Sequence, residues 1–276
     1  MNFLVFITII FSLPILFCGC DSDSVNDADV EYYSDESQTS GLSTVTVSFP
    51  EGFTVRQIAQ RLEENEVCSA DEFVEAAKNK SYLDEFGFSV SDPERRVYIL
   101  EGYLFPDTYE FYVGENIDSV IKKFLRNTDA RITSDMRSRA SEMGYSFDEL
   151  ITLASIVQGE AGGGSQSSAV SAVIHNRLDR NPPMRIECDC SATYLKRYVK
   201  PYYDEDTYYS YCLDYNTYNC SGIPVGAINN PGLTSLNAVL YPDNNDYFYF
   251  LTDADGVYHF AETYEQHLEN KRNAGL

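Results

Sequence analysis

Glu160 sits where a carboxyl group could act as an acid. It follows Ile156 by four residues and Val157 by three, so on a helix it continues their apolar stripe and faces inward. That stripe (Phe147, Leu150, Ile151, Ala154, Val157) opens with Ser146-Phe147-Asp148-Glu149, a capping-box pattern, and stops at Gly162-Gly163-Gly164. Partial burial and the negative end of the helix dipole both disfavour a carboxylate there, the dipole by about 0.3–1 kcal/mol. A carboxyl group that keeps its proton is what general acid catalysis needs. The glycines beyond it let a polymer approach the backbone closely.

Other chemistries find little support. The sequence has no His-Glu-x-x-His pair, no Gly-x-Ser-x-Gly elbow, no phosphate loop and no dinucleotide fingerprint. His175, His259 and His267 are scattered and read as structural. A conventional glycosidase needs two carboxylates flanking the bond; Glu101, Asp107 and Asp189 are candidates for a second, and no spacing selects one. Cys188, Cys190, Cys212 and Cys220 cluster. Cys-x-Cys is not the usual zinc spacing and no His lies among the four, so disulfides are expected and neither metal nor cofactor. A Cys188–Cys190 bridge would close a strained, tiny ring. Both are therefore expected to reach Cys212 and Cys220, in one of the two remaining connectivities, with Cys68 a buried free thiol.

The elements that must position Glu160 indicate an α+β fold. Residues 1–20 read as a signal peptide or lipoprotein anchor: Phe3 to Phe17 is apolar but short of the ~20 residues of a comfortable span, and Cys20 follows a small residue, as an acylated cysteine would. Residues 21–43 form an acidic linker, with seven acidic and no basic residues between Asp21 and Gly41. Such a chain stays solvated and reaches about 25 Å. Residues 44–96 suggest a LysM-like βααβ module: alternation from Thr44 to Phe49, a helix capped by Thr54, another opened by Ser69 and Glu72, and a returning strand near Val97 to Leu100. Residues 97–276 form the larger domain. It should hold helices at 117–125, 132–143, 147–160 and 169–178, a hairpin around Ala254-Asp255-Gly256, and a helix over 264–274.

The 276 residues carry 43 acidic against 20 basic side chains, a formal net charge of -23. Phosphate backbones would be repelled, which excludes nucleic acid as a partner. The 22 Tyr, with no Trp, suit a sugar-binding cleft, where ring faces stack and hydroxyls bond.

Several segments together resemble one family. Leu100-Glu101-Gly102-Tyr103-Leu104-Phe105-Pro106-Asp107-Thr108-Tyr109 is similar to the hallmark segment of the YceG-like endolytic murein (lytic) transglycosylases. Leu153-Ala154-Ser155-Ile156-Val157-Gln158-Gly159-Glu160 resembles that family's catalytic helix, which usually ends Glu-Lys-Glu. Val173 to Leu178, Tyr215-Asn216-Thr217-Tyr218, Gly222-Ile223-Pro224, Gly226 to Gly232 and the 247–260 hairpin follow in the family's order. The resemblance implies endolytic cleavage of the bond between N-acetylmuramic acid and N-acetylglucosamine, with Glu160 as acid and then base. The muramic C6 hydroxyl is the tethered nucleophile, so no second carboxylate is required and a 1,6-anhydro end results. It implies sugar contacts among Glu101, Tyr103, Asp107, Tyr109, Gln158, Asn176, Asp189, Tyr215, Asn216 and Tyr218.

It also implies peptidoglycan and cell-wall synthases as partners, and a location on the outer face of the cytoplasmic membrane, held there by lipid or an N-terminal helix. Gln158, Gly159, Cys190 and Val225 depart from the family pattern. The irregular 194–212 stretch leaves the cleft's shape open. Two alternatives stand beside this reading: a hydrolytic muramidase on the same scaffold, and a non-catalytic glycan-binding lipoprotein.

Overall fold

The computed structural model describes residues 43–276. The anchor, Cys20 and most of the linker lie outside the described residues. Two small antiparallel sheets and a helical core carry the fold. Strand β1 (Thr44–Ser48) pairs with β2 (Thr108–Tyr112), Val47 opposite Tyr109. Between them lie α1 (Val55–Glu64), α2 (Ala70–Ala76) and α3 (Ser81–Glu85). The returning strand is therefore not at 97–100. Val97, Tyr98, Ile99 and Leu100 are buried in a turn; a short continuous apolar run does not distinguish a strand from any other buried segment. The alternation that makes the strand is Tyr109 and Phe111 inward, with Thr108, Glu110 and Tyr112 outward. Phe49, Tyr109 and Phe111 pack around Phe124, with Tyr109 and Phe124 centroids 4.5 Å apart.

The remaining helices are α4 (Ile117–Arg131), α5 (Ser134–Glu142), α6 (Phe147–Ala161), α7 (Ser167–Asp179), α8 (Asp189–Tyr194), α9 (Glu205–Tyr215) and α10 (Leu233–Leu240). The hairpin β3 (Tyr249–Thr252) and β4 (Tyr258–Ala261) precedes α11 (Tyr264–Asn273). Among the described residues no helix is long and apolar enough to cross a membrane.

Helix α6 is the axis. Every residue from Leu150 to Gln158 is buried, more than the stripe of a half-exposed helix, because α5, α7, α8 and α10 all pack against it. Its start follows the capping box: Ser146 accepts from the Glu149 N–H at 3.1 Å, and Glu149 accepts from the Ser146 N–H at 2.8 Å. The buried Asp148 beside this cap takes an ion pair from Arg96 and a 2.8 Å hydrogen bond from the Tyr103 hydroxyl. Its far end closes at Gly162, whose φ of 59° is the left-handed cap that glycine adopts without steric cost. His175 is structural, bonded to the Tyr145 hydroxyl and the Val239 carbonyl oxygen, each at 3.0 Å.

The stretch over 194–212 is not irregular. A π-helical turn (Leu195–Val199) continues α8, and α9 follows. All five cysteines among the described residues are free, which overturns the expected disulfides. Cys190 lies within α8 rather than on an extended segment, so Cys188 and Cys190 do not project together toward Cys212 and Cys220. Their sulfurs turn inward, against the carbonyl oxygens of Ile186 (3.8 Å) and Ile156 (3.7 Å). Cys68 is free but only partly buried, and burial pushes its thiol up to about 12.

Candidate active site

Glu160 emerges half-buried from the last turn of α6. Three elements hold it. The Cys190 N–H, in the first turn of α8, donates to its Oε1 at 3.0 Å. The Tyr258 hydroxyl of β4 donates to its backbone carbonyl oxygen at 2.8 Å. The buried Gln158 Oε1 accepts from the Gly232 N–H at 3.1 Å and the Ser235 hydroxyl at 2.9 Å, which ties α6 to the start of α10. Glu160 and Asp189 line two adjoining cavities, of about 370 and 650 Å³, so the two carboxyl groups stand at the waist of one cleft.

The start of α8 is locked by a buried hydroxyl knot. Thr217 Oγ1 accepts from the Cys188 N–H at 2.8 Å, and Ser191 Oγ donates to the Cys188 carbonyl oxygen at 2.9 Å. Ser191 Oγ also lies 2.9 Å from Thr217 Oγ1. The knot fixes the N–H that Glu160 accepts. Thr217, Ser191 and Tyr258 were missed as site residues; Thr217 could have been found as the small hydroxyl inside the quoted Tyr215–Tyr218 motif. Burial, with the Glu160 charge next, keeps the Cys190 thiol protonated.

Glu101 is fully buried behind the smaller cavity. Its Oε1 accepts from the Val55 N–H at the start of α1 (2.9 Å) and from Asn230 Nδ2 (3.1 Å); its Oε2 faces the Tyr194 hydroxyl at 3.4 Å. Burial raises its pKa to about 8, against the opposing pull of those hydrogen bonds. Gly102 beside it has no room for a side chain: a Cβ would sit 2.5 Å from Ile151 and 2.6 Å from Ala227.

Of the sequence-derived sugar contacts, the structure brings Asp189 and the exposed Tyr218 to the cleft with Glu160, joined by a 2.8 Å hydrogen bond from Tyr218 to Asp189. The others are drawn into the scaffold. Tyr103 is wholly buried on Asp148. The buried Tyr109 bonds the Phe105 carbonyl oxygen, and Asp107 pairs with Asn127 and Arg131. Tyr215 is buried and accepts from the Val97 N–H. Asn176 donates to the carbonyl oxygens of Asn245 and Tyr247. Asn216 accepts from the Tyr218 N–H, fixing the turn that presents Tyr218. Gln158 and Glu101 hold helix starts, as above. Each is bonded within the protein, so they shape the cleft from behind.

Two departures from the family pattern face each other. A Cβ on Gly159 would lie 2.7 Å from the Cys190 Cβ and 3.1 Å from its sulfur. Gly159→Ala is expected to lower the melting temperature despite the gain of about 1 kcal/mol from better helix propensity, because overpacking costs about 1–3 kcal/mol and the neighbour is backbone-proximal. Adding Cys190→Gly should recover the loss; thermal melts of the single and double variants check it, and a stabilised single variant would refute the contact.

Comparisons with known proteins agree with this architecture. The model of the YceG-like family matches residues 31–273. The chain belongs to that family. It is similar to the endolytic murein transglycosylase of Bacillus subtilis (strain 168), 28% identical over 82% of this chain and 64% of that one. It is likewise 28% identical to the endolytic murein transglycosylase of Streptococcus pneumoniae (strain D39), over 86% of this chain and 45% of that one. The chain thus spans less than two thirds of the length of these relatives. A crystal structure of a YceG-like protein from Listeria monocytogenes superposes with a TM-score of 0.70 at 28% identity, covering 82% of this chain and 76% of that one.

Proposed function

We propose that this member of the YceG-like family is a peptidoglycan lytic transglycosylase that cuts within glycan strands. The observation that carries the reading is Glu160: a carboxyl group, oriented by the Cys190 N–H, at the waist of a cleft with room on both sides. Glu160 donates its proton to the glycosidic oxygen as the bond to the muramic C1 breaks, and the oxygen leaves as the C4 hydroxyl of N-acetylglucosamine. The C6 hydroxyl of the same muramic acid then attacks C1 and returns its proton to Glu160. The ring closes as a 1,6-anhydro sugar, and the tethered nucleophile replaces water. The names of the two relatives support murein as the substrate.

Asp189 favours a second reading, hydrolysis. It lines the same two cavities as Glu160, from where a second carboxylate could steer a water. Digestion of uncrosslinked strands separates the two readings by mass spectrometry of the new ends. Anhydro ends are expected; reducing ends, 18 mass units heavier by one water, would establish the hydrolase.

The reading extends to location. The leader and Cys20 suggest an anchor, by lipid or by an uncleaved helix, that holds the body near nascent strands on the outer face of the cytoplasmic membrane, where cell-wall synthases are its partners. The β1-α1-α2 order with β2 pairing back on β1 supports a LysM-like module that guides glycan toward Gly52 and Thr54 at the cleft.

A further inference from the structure

The two arms of the cleft differ in charge as well as size. The smaller is walled by the Gly52–Gln57 segment, Thr193 and Tyr198; apart from Glu160 and Asp189 at the waist, no charged side chain lines it. The larger holds Arg177, Lys271 and His267 against Glu187. Arg177 already pairs with Glu187 at 3.2 Å and donates to the carbonyl oxygens of Phe248 and Ile186. Burial first, then the neighbouring Lys271 and Arg177, lowers the His267 pKa and so favours its neutral form. Lys271 is exposed and makes no ion pair among the described residues. It is the cation left over for a ligand.

The substrate has the same asymmetry. Across the bond to be cut, muramic acid carries a lactyl group, acidic itself or extended by a peptide that ends in carboxylates, whereas N-acetylglucosamine is neutral and smaller. We propose that the cleft reads strand direction from this difference. The muramoyl residue, with its anionic substituent, occupies the larger arm with that substituent on Lys271. The departing N-acetylglucosamine occupies the smaller arm against the half-exposed ring of Tyr198. The assignment rests on the glycan reading of Glu160 and adds the orientation. The strand then runs with its reducing end toward Gly52 and Thr54. Tyr198 reaches this wall from the π-helical turn Leu195–Val199, a distortion that recurs at functional sites because it re-aims one side chain. Its ring centroid stands 6.3 Å from that of Tyr194, so a platform is backed by a second aromatic ring.

The test uses the full chain and two substrates: uncrosslinked glycan strands with free carboxylates, and the same strands with every carboxylate capped as a methylamide. Lys271→Glu should lower kcat/KM about tenfold on the free-acid strands, about 1.4 kcal/mol, and less than twofold on the capped ones. Tyr198→Ala should lower kcat/KM on both substrates by one common factor, and Tyr198→Phe should restore it, with circular dichroism confirming the fold of each. If Lys271→Glu acts equally on both substrates, the arm assignment is overturned while the function stands. If the unmodified protein cleaves neither strand, the proposed function fails, and the assignment with it.

Discussion

Glu160→Gln is expected to lower glycan cleavage by about 10³-fold, the scale of a lost general acid, while leaving the melting temperature within a degree or two. Glutamine keeps the shape, and its Oε1 can still accept the Cys190 N–H that Glu160 accepts at 3.0 Å. What it lacks is a transferable proton. The same amide should leave affinity for uncut strands nearly unchanged, since the cavities on either side are lined by other side chains. Release of new ends, measured with strand binding on the same preparation, checks the result. A variant that keeps more than a few per cent of the rate would move the acid role to Asp189, which shares both cavities.

The second large effect is on stability against pH, through Glu101. Its pKa in the fold is about 8 against an ordinary 4.5, chiefly because it is buried. Below the ordinary value both folded and unfolded chains carry the proton, and burial costs nothing in charge. As pH rises toward 8, the unfolded chain ionises freely while the folded chain holds its proton, so stability falls across that window. The limit is a few kcal/mol, since each unit of displacement corresponds to about 1.4 kcal/mol. Glu101→Gln removes the titration and can still accept from Val55 and Asn230. The variant should therefore gain on the unmodified protein steadily from about pH 5 to 8. Differences in denaturant midpoint between the two proteins cancel His175 and His267, whose lowered pKa values act at the acidic end. A flat difference across the window would show that Glu101 ionises normally in the fold.

The parts of the fold readable from sequence are those whose signals are local. Ser146 with Glu149 fixed the start of α6 and the glycines after Ala161 its end, because a cap and a left-handed terminator need only adjacent residues. The hairpin around Gly256 was readable for the same reason. Strand β2 was misplaced because the apolar run at 97–100 was read as a strand, whereas the partner is chosen by pairing with β1, sixty residues away. Helix α9 was missed because its tyrosines supply no apolar period; it is set by the Asp204 cap and by packing on the π-helical turn. At the site, Glu160 was selected through its place on the stripe, and its side chain lines the cleft. Tyr103, Tyr109, Tyr215 and Asn176 were misassigned because a hydroxyl or amide serves a sugar or a backbone equally well. Only the direction of the side chain decides, and that direction is tertiary.

The stitching of the cleft wall also bears on the order in which the site is assembled as the chain is made. Asn230 Nδ2 donates to the Phe53 carbonyl oxygen, 177 residues away, and its own carbonyl oxygen accepts from the Gly52 N–H. The Asn230 side chain also accepts from the Leu104 N–H. The wall beside Glu160 is therefore fully seated only once a segment made long after α6 has been added, and the Tyr258 clasp on Glu160 arrives later still. A nascent chain that has already completed α6 carries its carboxyl group with no cleft around it. With the proposed function, the carboxyl group would then be inert by topology until those later segments had joined it.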